Sequence, residues 1–532
     1  MSNLNARSGG DTLRDEKETA GVLGGDTGNI TGVAHTGISG HQMNIWSTDG
    51  GIYCGHEVLE PYVDETVCAL NSPWTPTNRI YNYTGDGHLI IVGPNGSGKT
   101  RNMLVPNLCD LPNWSQLVID PKGELAAGTA KRRRDAGSEI VTFDPFGVIE
   151  QRYPGLVEEL PYLKSVGLNP MAMLDPNSDD FPDDAKALSE ALIKVEGDDA
   201  HWGKSAQALV AGLMMGVRMT LEKDDPKNSL TGVRSLLGLA PEELGAAIKE
   251  IIEATNNDAA IAAKLNRFTV INSASKELLS ILSTALTQTD WLDSKPIQRA
   301  LNTGTFDFSV MKRRPVTVYL ILPPRFFVTH STWLRLMVTA TLTQLIRSTT
   351  QDQDVPVLLM LDEFAALGRM EVIERNMPIM RGFGIKMLMI LQDISQLKNC
   401  YKLLWESFIA NAGIFQSFAP NDMTTREYLA NLSGERLYWV WTNSISKSFS
   451  SNSSWANEPP SRSYQDSRTY YQNKTYPEHD LAQMKRGQTV LFEYQCPPRR
   501  ILLPDPSQLN AGKILMQAEA LALAAQHKVN EE

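Results

Sequence analysis

A doubly wound α/β fold interrupted by a block of helices is what this sequence predicts, on three observations. Short, almost continuously apolar runs ending in Gly, Pro or Asp alternate with helical stretches from His88 onward. The β signal vanishes between about 180 and 300, where helical patterns take over. The first apolar run leads directly into the glycine-rich segment 93–100 and then into a helical stretch. Strand, glycine-rich turn and helix in that order form one repeating unit of a parallel α/β sheet.

The predicted strands are HLIIV (88–92), QLVID (116–120), EIVTFD (139–144), VTVYLIL (316–322), VLLMLD (357–362), KMLMILQ (386–392) and GIFQSF (413–418). Nearly unbroken apolar runs suit a parallel sheet covered on both faces. The helical block contains DDAKALSEALIKV, SAQALVAGLMMGVRMTLEK, PEELGAAIKEIIEA and SKELLSILSTALTQ. Pro241 ahead of Glu242 and Glu243 makes a good first helical turn, because proline lacks the donor that would be orphaned there. An all-α domain at 181–299 is therefore expected inside an α/β core made of 46–180 and 300–510.

Residues 1–45 are rich in Gly, Ser, Thr, Asn and Asp, cannot bury enough surface to offset chain entropy, and are expected to be disordered. Residues 46–85 read as a short lead-in. The Ser-, Asn- and Tyr-rich stretch 440–475 reads as a long mobile loop. Strand-like TVLFEY and RRILL then close the domain, ahead of a helical tail at 511–532.

With 532 residues the chain is long enough for two or three domains, and 42% hydrophobic with 21% charged residues places it among soluble globular proteins. A formal charge of −11 argues against a generally basic, phosphate-seeking surface, though a local basic channel remains compatible with it. The five cysteines are scattered without a C-x-x-C pair, which argues against a disulfide framework or a zinc site and for a reducing compartment. The N-terminal sequence has no apolar core of the kind a signal peptide or anchor requires. No apolar run reaches the roughly 18–20 residues that span a bilayer. The nearest, Ala206 to Val217, reads as a buried helix.

The segment Gly93-Pro94-Asn95-Gly96-Ser97-Gly98-Lys99-Thr100 fits G-x-x-x-x-G-K-[ST] and lies between a strand and a helix, where a phosphate-binding loop must be. Its glycines let backbone N–H groups wrap phosphates, and the helix N-terminus adds positive potential. Lys99 is placed to reach the β- and γ-phosphates of ATP, and Thr100 to ligate Mg2+. In VLLMLDEFAAL, Asp362 and Glu363 end a buried strand. One carboxylate there serves the Mg2+ shell, and the next polarises an attacking water. Gln392, at the end of the following strand, is a candidate contact to the γ-phosphate.

Arg381, just upstream of that strand, is a candidate for an arginine supplied to a neighbouring subunit's site, with Arg369 as its rival. The basic run Lys131-Arg132-Arg133-Arg134 reads as a solvated helix face before a phosphate contact. His201-Trp202 reads as aromatic packing before base stacking.

Several segments together resemble the type IV coupling proteins, the TraG-like ATPases of conjugation and type IV secretion. They are LVIDPKGEL (117–125), TAKRRRDAG, VTFDPFG (141–147), Asn169-Pro170, LDEFAALGRM (361–370), RGFGIKMLMILQDISQL (381–397) and PEHDLAQMKRGQTVLF (477–492), covering roughly 85–505. The resemblance implies a RecA-like P-loop NTPase core with an inserted all-α domain, assembled as a hexameric ring. It implies cargo of DNA, with its relaxase, or of secreted proteins, delivered to type IV secretion channel components at the expense of ATP. By position Lys99 and Thr100 become the Walker A pair, Asp362 and Glu363 the Walker B pair, Gln392 the sensor and Arg381 the trans finger.

Most members of that family begin with a transmembrane region, where this chain has a polar lead. The expectation is therefore a cytoplasmic protein recruited to the inner face of the cell membrane, with a separate subunit as anchor. Two other functions fit less well. An FtsK- or HerA-type DNA translocase spaces its Walker pair more closely than the 263 positions between Lys99 and Asp362 (362 minus 99). A substrate-recruitment platform with slow turnover would rest on the helical block alone.

Overall fold

The apolar runs all become strands, and they join a single sheet. The computed structural model describes residues 51–58, 74–195, 200–348, 355–448 and 461–503. The segments 1–45 and 511–532, expected to be disordered and helical respectively, lie outside these residues. In chain order the strands are β1 (Ile52–Val58), β2 (Pro76–Tyr83), β3 (His88–Val92), β4 (Ser115–Ile119), β5 (Glu139–Phe143), β6 (Val316–Leu320), β7 (Val357–Leu361), β8 (Ile385–Leu391), β9 (Ala412–Phe418), β10 (Glu435–Ser448), β11 (Ser461–Lys474), β12 (Gln488–Glu493) and β13 (Arg499–Leu502).

Eleven strands form a sheet of order β2-β1-β13-β12-β9-β3-β8-β7-β4-β6-β5. From β9 to β5 every neighbour is parallel. The flank from β2 to β12 is antiparallel. All residues of β3, β4, β6 and β7 are buried. Alternate residues serve opposite faces, as strand geometry requires. Ile90, Val92, Leu359 and Leu361 join one core, and Leu89, Ile91, Leu358 and Met360 join the other.

Among the described residues no strand lies between β5 and β6. The helices there include Phe181–Leu192, Ala200–Thr220, Pro241–Ala254 and Lys276–Gln288. Helix Ala200–Thr220 is their axis. A Cβ on its Gly212 would stand 2.6 Å from Leu265 Cδ2, and one on Gly216 would stand 2.3 Å from Ile251 Cγ2. Small residues there let the neighbouring helices approach. Leu209, Leu213 and Met214 of this helix belong to the same continuous core as Ile90, Leu361 and Trp333. The block is therefore packed directly onto one sheet face. The phosphate-loop helix and helix Glu124–Asp135 cover the other. No helix among the described residues is long and apolar enough to cross a membrane.

Two expectations are corrected. Residues 46–85 were expected to be a mere lead-in, but β1 and β2 extend the sheet through antiparallel pairing with β13. The stretch 440–475, expected to be a mobile loop, contains most of a two-stranded antiparallel ribbon, β10 with β11. Its register runs unbroken from Glu435↔Lys474 to Ser448↔Ser461. The Ser and Asn content suggested a loop, yet Trp439-Val440-Trp441-Thr442 and the tyrosines opposite carry strong strand preference.

Candidate nucleotide-binding site

β3 brings the chain to Gly93 at the C-terminal edge of the parallel strands, between β9 and β8. Gly93 N–H donates to Leu391 O at 3.1 Å, tying the loop to the end of β8. Gly96 and Gly98 have φ of +77° and +96°, which favour glycine and let the chain curl with its backbone exposed. Asn102 N–H then donates to Gly98 O at 2.9 Å, and the turn Thr100–Leu104 runs into helix Val105–Asp110. The Lys99 amine lies inside the curl, donating to Gly93 O and, at 3.0 Å, to Pro94 O. Burial pushes its pKa down, while the charges of Glu363 and Asp362 push it back up.

β7 ends beside this loop. Thr100 Oγ1 donates to Asp362 Oδ2 at 3.4 Å, a weak contact between the loop and the strand end. Glu363 adopts a left-handed backbone conformation, φ 61° and ψ 49°. For a residue with a Cβ this costs on the order of 1–3 kcal/mol, the kind of strain that collects at functional sites. The sharp turn sends Phe364 into the core against Tyr401 and Phe408 and leaves Glu363 facing the cavity. At the end of β8, Gln392 Nε2 donates to Glu363 Oε2 at 3.2 Å.

The electrostatics are those of a site short of positive charge. Asp362 keeps some solvent contact, yet burial first and the Glu363 charge second push its pKa up to about 6, against the pull of Lys99 and Thr100. Asp120, at the end of β4, is pushed up to about 7, chiefly by burial. Its carboxylate accepts from Ala126 N–H at 2.8 Å and Lys122 N–H at 3.3 Å, so it also caps helix Glu124–Asp135. A hydroxyl and a carboxylate of hard oxygen character, set among excess negative charge, fit Mg2+ better than a soft metal.

These groups share a cavity of about 680 Å³, lined by Asn95, Gly96, Ser97, Gly98, Lys99, Thr100, Asp362, Glu363 and Gln392. Gly93 and Pro94 lie beneath it, acting through their carbonyls. A second cavity of about 740 Å³ lies between the helical block and the start of helix Phe327–Arg347. It has one carboxylate, Asp290, and no glycine loop, and so offers no comparable chemistry.

Other candidates lie elsewhere. Arg381 is exposed at the far end of β8, beyond the strand start at Ile385. Arg369 is paired with Glu374 at 2.9 and 3.1 Å. Neither lines this subunit's cavity. The basic run is absorbed by structure. Lys131 pairs with Asp135 and Arg132 with Asp110. Arg133 is buried, donating to Leu111 O and Trp114 O, and Arg134 lies over the Tyr162 ring. His201 meets Trp202 edge to face at 5.1 Å.

Sequence reasoning gave no role to Asp120, Lys122, Glu124, Pro324, Phe327 or Arg486, which also line the cavity. The available signal was the wording DPKGEL and MKRGQ, which marked a family without assigning its residues.

The family profile described as Type IV secretory system Conjugative DNA transfer matches residues 57–501. The conjugal transfer protein TraG of Escherichia coli is 25% identical over 378 residues, covering 66% of this chain and 56% of the relative. Protein VirD4 of Rhizobium rhizogenes is 24% identical over 383 residues, covering 69% of this chain and 52% of the relative. The chain thus spans little more than half the length of these curated relatives. Among solved structures, unbound conjugative coupling protein TrwBdeltaN70 superposes with a TM-score of 0.56 at 13% identity, covering 78% of this chain and 85% of that one. Plasmid coupling protein TrwB in complex with ADP and Mg2+ gives the same score and identity, covering 78% and 84%. These likenesses show the fold, a RecA-like P-loop NTPase core carrying additional helices. By its profile match along most of its length, the chain belongs to the type IV secretory system conjugative DNA transfer family.

Proposed function

We propose that this chain is an ATP-hydrolysing coupling protein that recruits DNA with its relaxase, secreted proteins, or both, and drives them into a type IV secretion channel. The observation that carries the enzymatic part is the single cavity joining the phosphate loop to Asp362, Glu363 and Gln392. Fold likeness to a coupling protein known with ADP and Mg2+ supports the choice of ligand.

In this reading the backbone N–H groups of the loop from Asn95 onward cradle the phosphates. The Lys99 amine leaves its loop carbonyls to meet the β- and γ-phosphate oxygens. Thr100 and Asp362 hold Mg2+, which when bound neutralises charge developing on those oxygens. Glu363 takes a proton from the attacking water, and Gln392 keeps its carboxylate oriented and registers loss of the γ-phosphate through that contact. Arg381 comes from the neighbouring subunit of a hexameric ring, since it lies away from its own cavity. The protein acts at the inner face of the cell membrane.

The test is ATP turnover by purified protein with and without DNA. DNA-stimulated turnover that disappears in Glu363→Gln is expected. Turnover that is absent, or unaffected by Glu363→Gln, overturns the motor.

A further inference from the structure

We propose that Arg486 binds the nucleoside and α-phosphate end of the nucleotide, an inference that rests on the nucleotide-binding function above. Arg486 precedes β12, and β12 pairs antiparallel with β9 through Thr489↔Phe418. That pairing brings Arg486 to the edge of the sheet where β3, β7 and β8 end, and it lines the same cavity as Lys99 and Glu363.

The order of strands separates its task from theirs. Glu363 and Gln392 follow β7 and β8, on one side of the phosphate-loop strand β3, whereas Arg486 precedes β12 on the other. Four inter-strand spacings separate β12 from β7, roughly 19 Å at the usual strand separation. An arginine side chain does not cross that distance. With the reacting phosphate held between Lys99 and Glu363, the remainder of the nucleotide is what extends toward Arg486.

The residue is free for that work and its backbone is held in place. Arg486 is exposed. Its side chain has no ion-pair or hydrogen-bond partner among the described residues, whereas the cavity's Lys122 and Glu124 stand 4.0 Å apart. The backbone around it is pinned. Gln488 N–H donates to Lys485 O at 3.0 Å, Lys485 N–H to Gln488 Oε1 at 2.7 Å, and Leu503 N–H to Gly487 O at 2.7 Å. A planar guanidinium on a fixed turn suits both a phosphate oxygen and the face of a base.

The test is titration calorimetry of the full chain with MgADP, the Mg2+ complex of a non-hydrolysable ATP analogue, and inorganic triphosphate, alongside steady-state turnover. Arg486→Ala is expected to weaken ADP and the analogue about tenfold each, the scale of one charge-assisted contact, and to weaken triphosphate less, through its α-position phosphate alone. KM for ATP should rise about tenfold with kcat within about twofold, and Arg486→Lys should recover part of the loss. Unchanged ADP affinity overturns the inference, as does a loss confined to the analogue or a fall in kcat at saturation. Wild-type protein that binds no nucleotide overturns the nucleotide-binding reading itself, and this inference with it.

Discussion

The side-chain amide of Gln392 donates to both carboxylate oxygens of Glu363, at 3.4 and 3.2 Å. The two residues end adjacent parallel strands, so the contact exists only because β7 and β8 are neighbours. It holds a strained residue in one orientation. In the proposed mechanism Glu363 is the group that takes the proton, and Gln392 fixes where it points.

Removing the base should therefore affect chemistry and spare binding. Glu363→Gln is expected to lower kcat by at least about 100-fold with nucleotide affinity within about threefold. Gln392→Ala should lower kcat less, on the order of tenfold, because Glu363 remains but loses its orientation. Turnover and calorimetry on the same preparations check both.

Lys99→Ala should abolish binding itself. The wild-type protein is expected to gain about 2.7 kcal/mol of stability at a MgADP concentration 100 times its Kd, and the variant none. Thermal unfolding with and without MgADP reads the difference.

Acidification should release the metal. In the proposed site Asp362 must be ionised to hold Mg2+, and burial together with the Glu363 charge pushes its pKa up to about 6. Mg2+-dependent nucleotide affinity should fall as pH drops through that value, by up to about tenfold per unit below it. Affinity measured from pH 5 to pH 8 in Asp362→Asn should be weak and flat.

The same shift acts on stability with the opposite sense. The folded-state pKa of Asp362 lies above its ordinary 3.8. Its contribution is thus fully present below about pH 4 and lost as pH rises through about 6. In metal-free protein, Asp362→Asn should raise Tm at pH 8, on the order of 1–2 °C, and raise it less at pH 5. An equal effect at both pH values contradicts the assignment.

Arg335 should prove indispensable to the fold. It is buried in helix Phe327–Arg347 and donates to Ala191 O at 3.2 Å, Glu190 O at 3.3 Å, Leu367 O at 2.9 Å and Arg369 O at 2.6 Å. It joins the segment after Glu363 to the helical block. Arg335→Ala leaves those carbonyls without their donor and should cost about 3–5 kcal/mol, seen as a lower denaturant midpoint.

Strands β3 to β9 were legible in the sequence alone, because each apolar run reports burial on both sides of the backbone, a local property. Strand β3 and the glycine loop after it were legible residue by residue, since φ near +77° and +96° at Gly96 and Gly98 is a demand glycine meets in place. The identities of Lys99, Thr100, Asp362, Glu363 and Gln392 as candidates were legible for the same reason, each standing at a predicted strand end or loop.

Which of these residues meet was settled by the arrangement of the strands. Thr100 and Asp362 are 262 residues apart in sequence and 3.4 Å apart in space. That closeness depends on β8 lying between β3 and β7, an order no local pattern encodes. The same order brings Asp120 and Arg486 into the cavity and leaves Arg381 at the other end of β8. It also converts Arg133 from one member of a basic run into a buried donor to Leu111 and Trp114 carbonyls. Spacing along a chain fixes which way a side chain points from its own element. Its partners depend on the arrangement of the other elements, and that is set by the joint burial of both sheet faces.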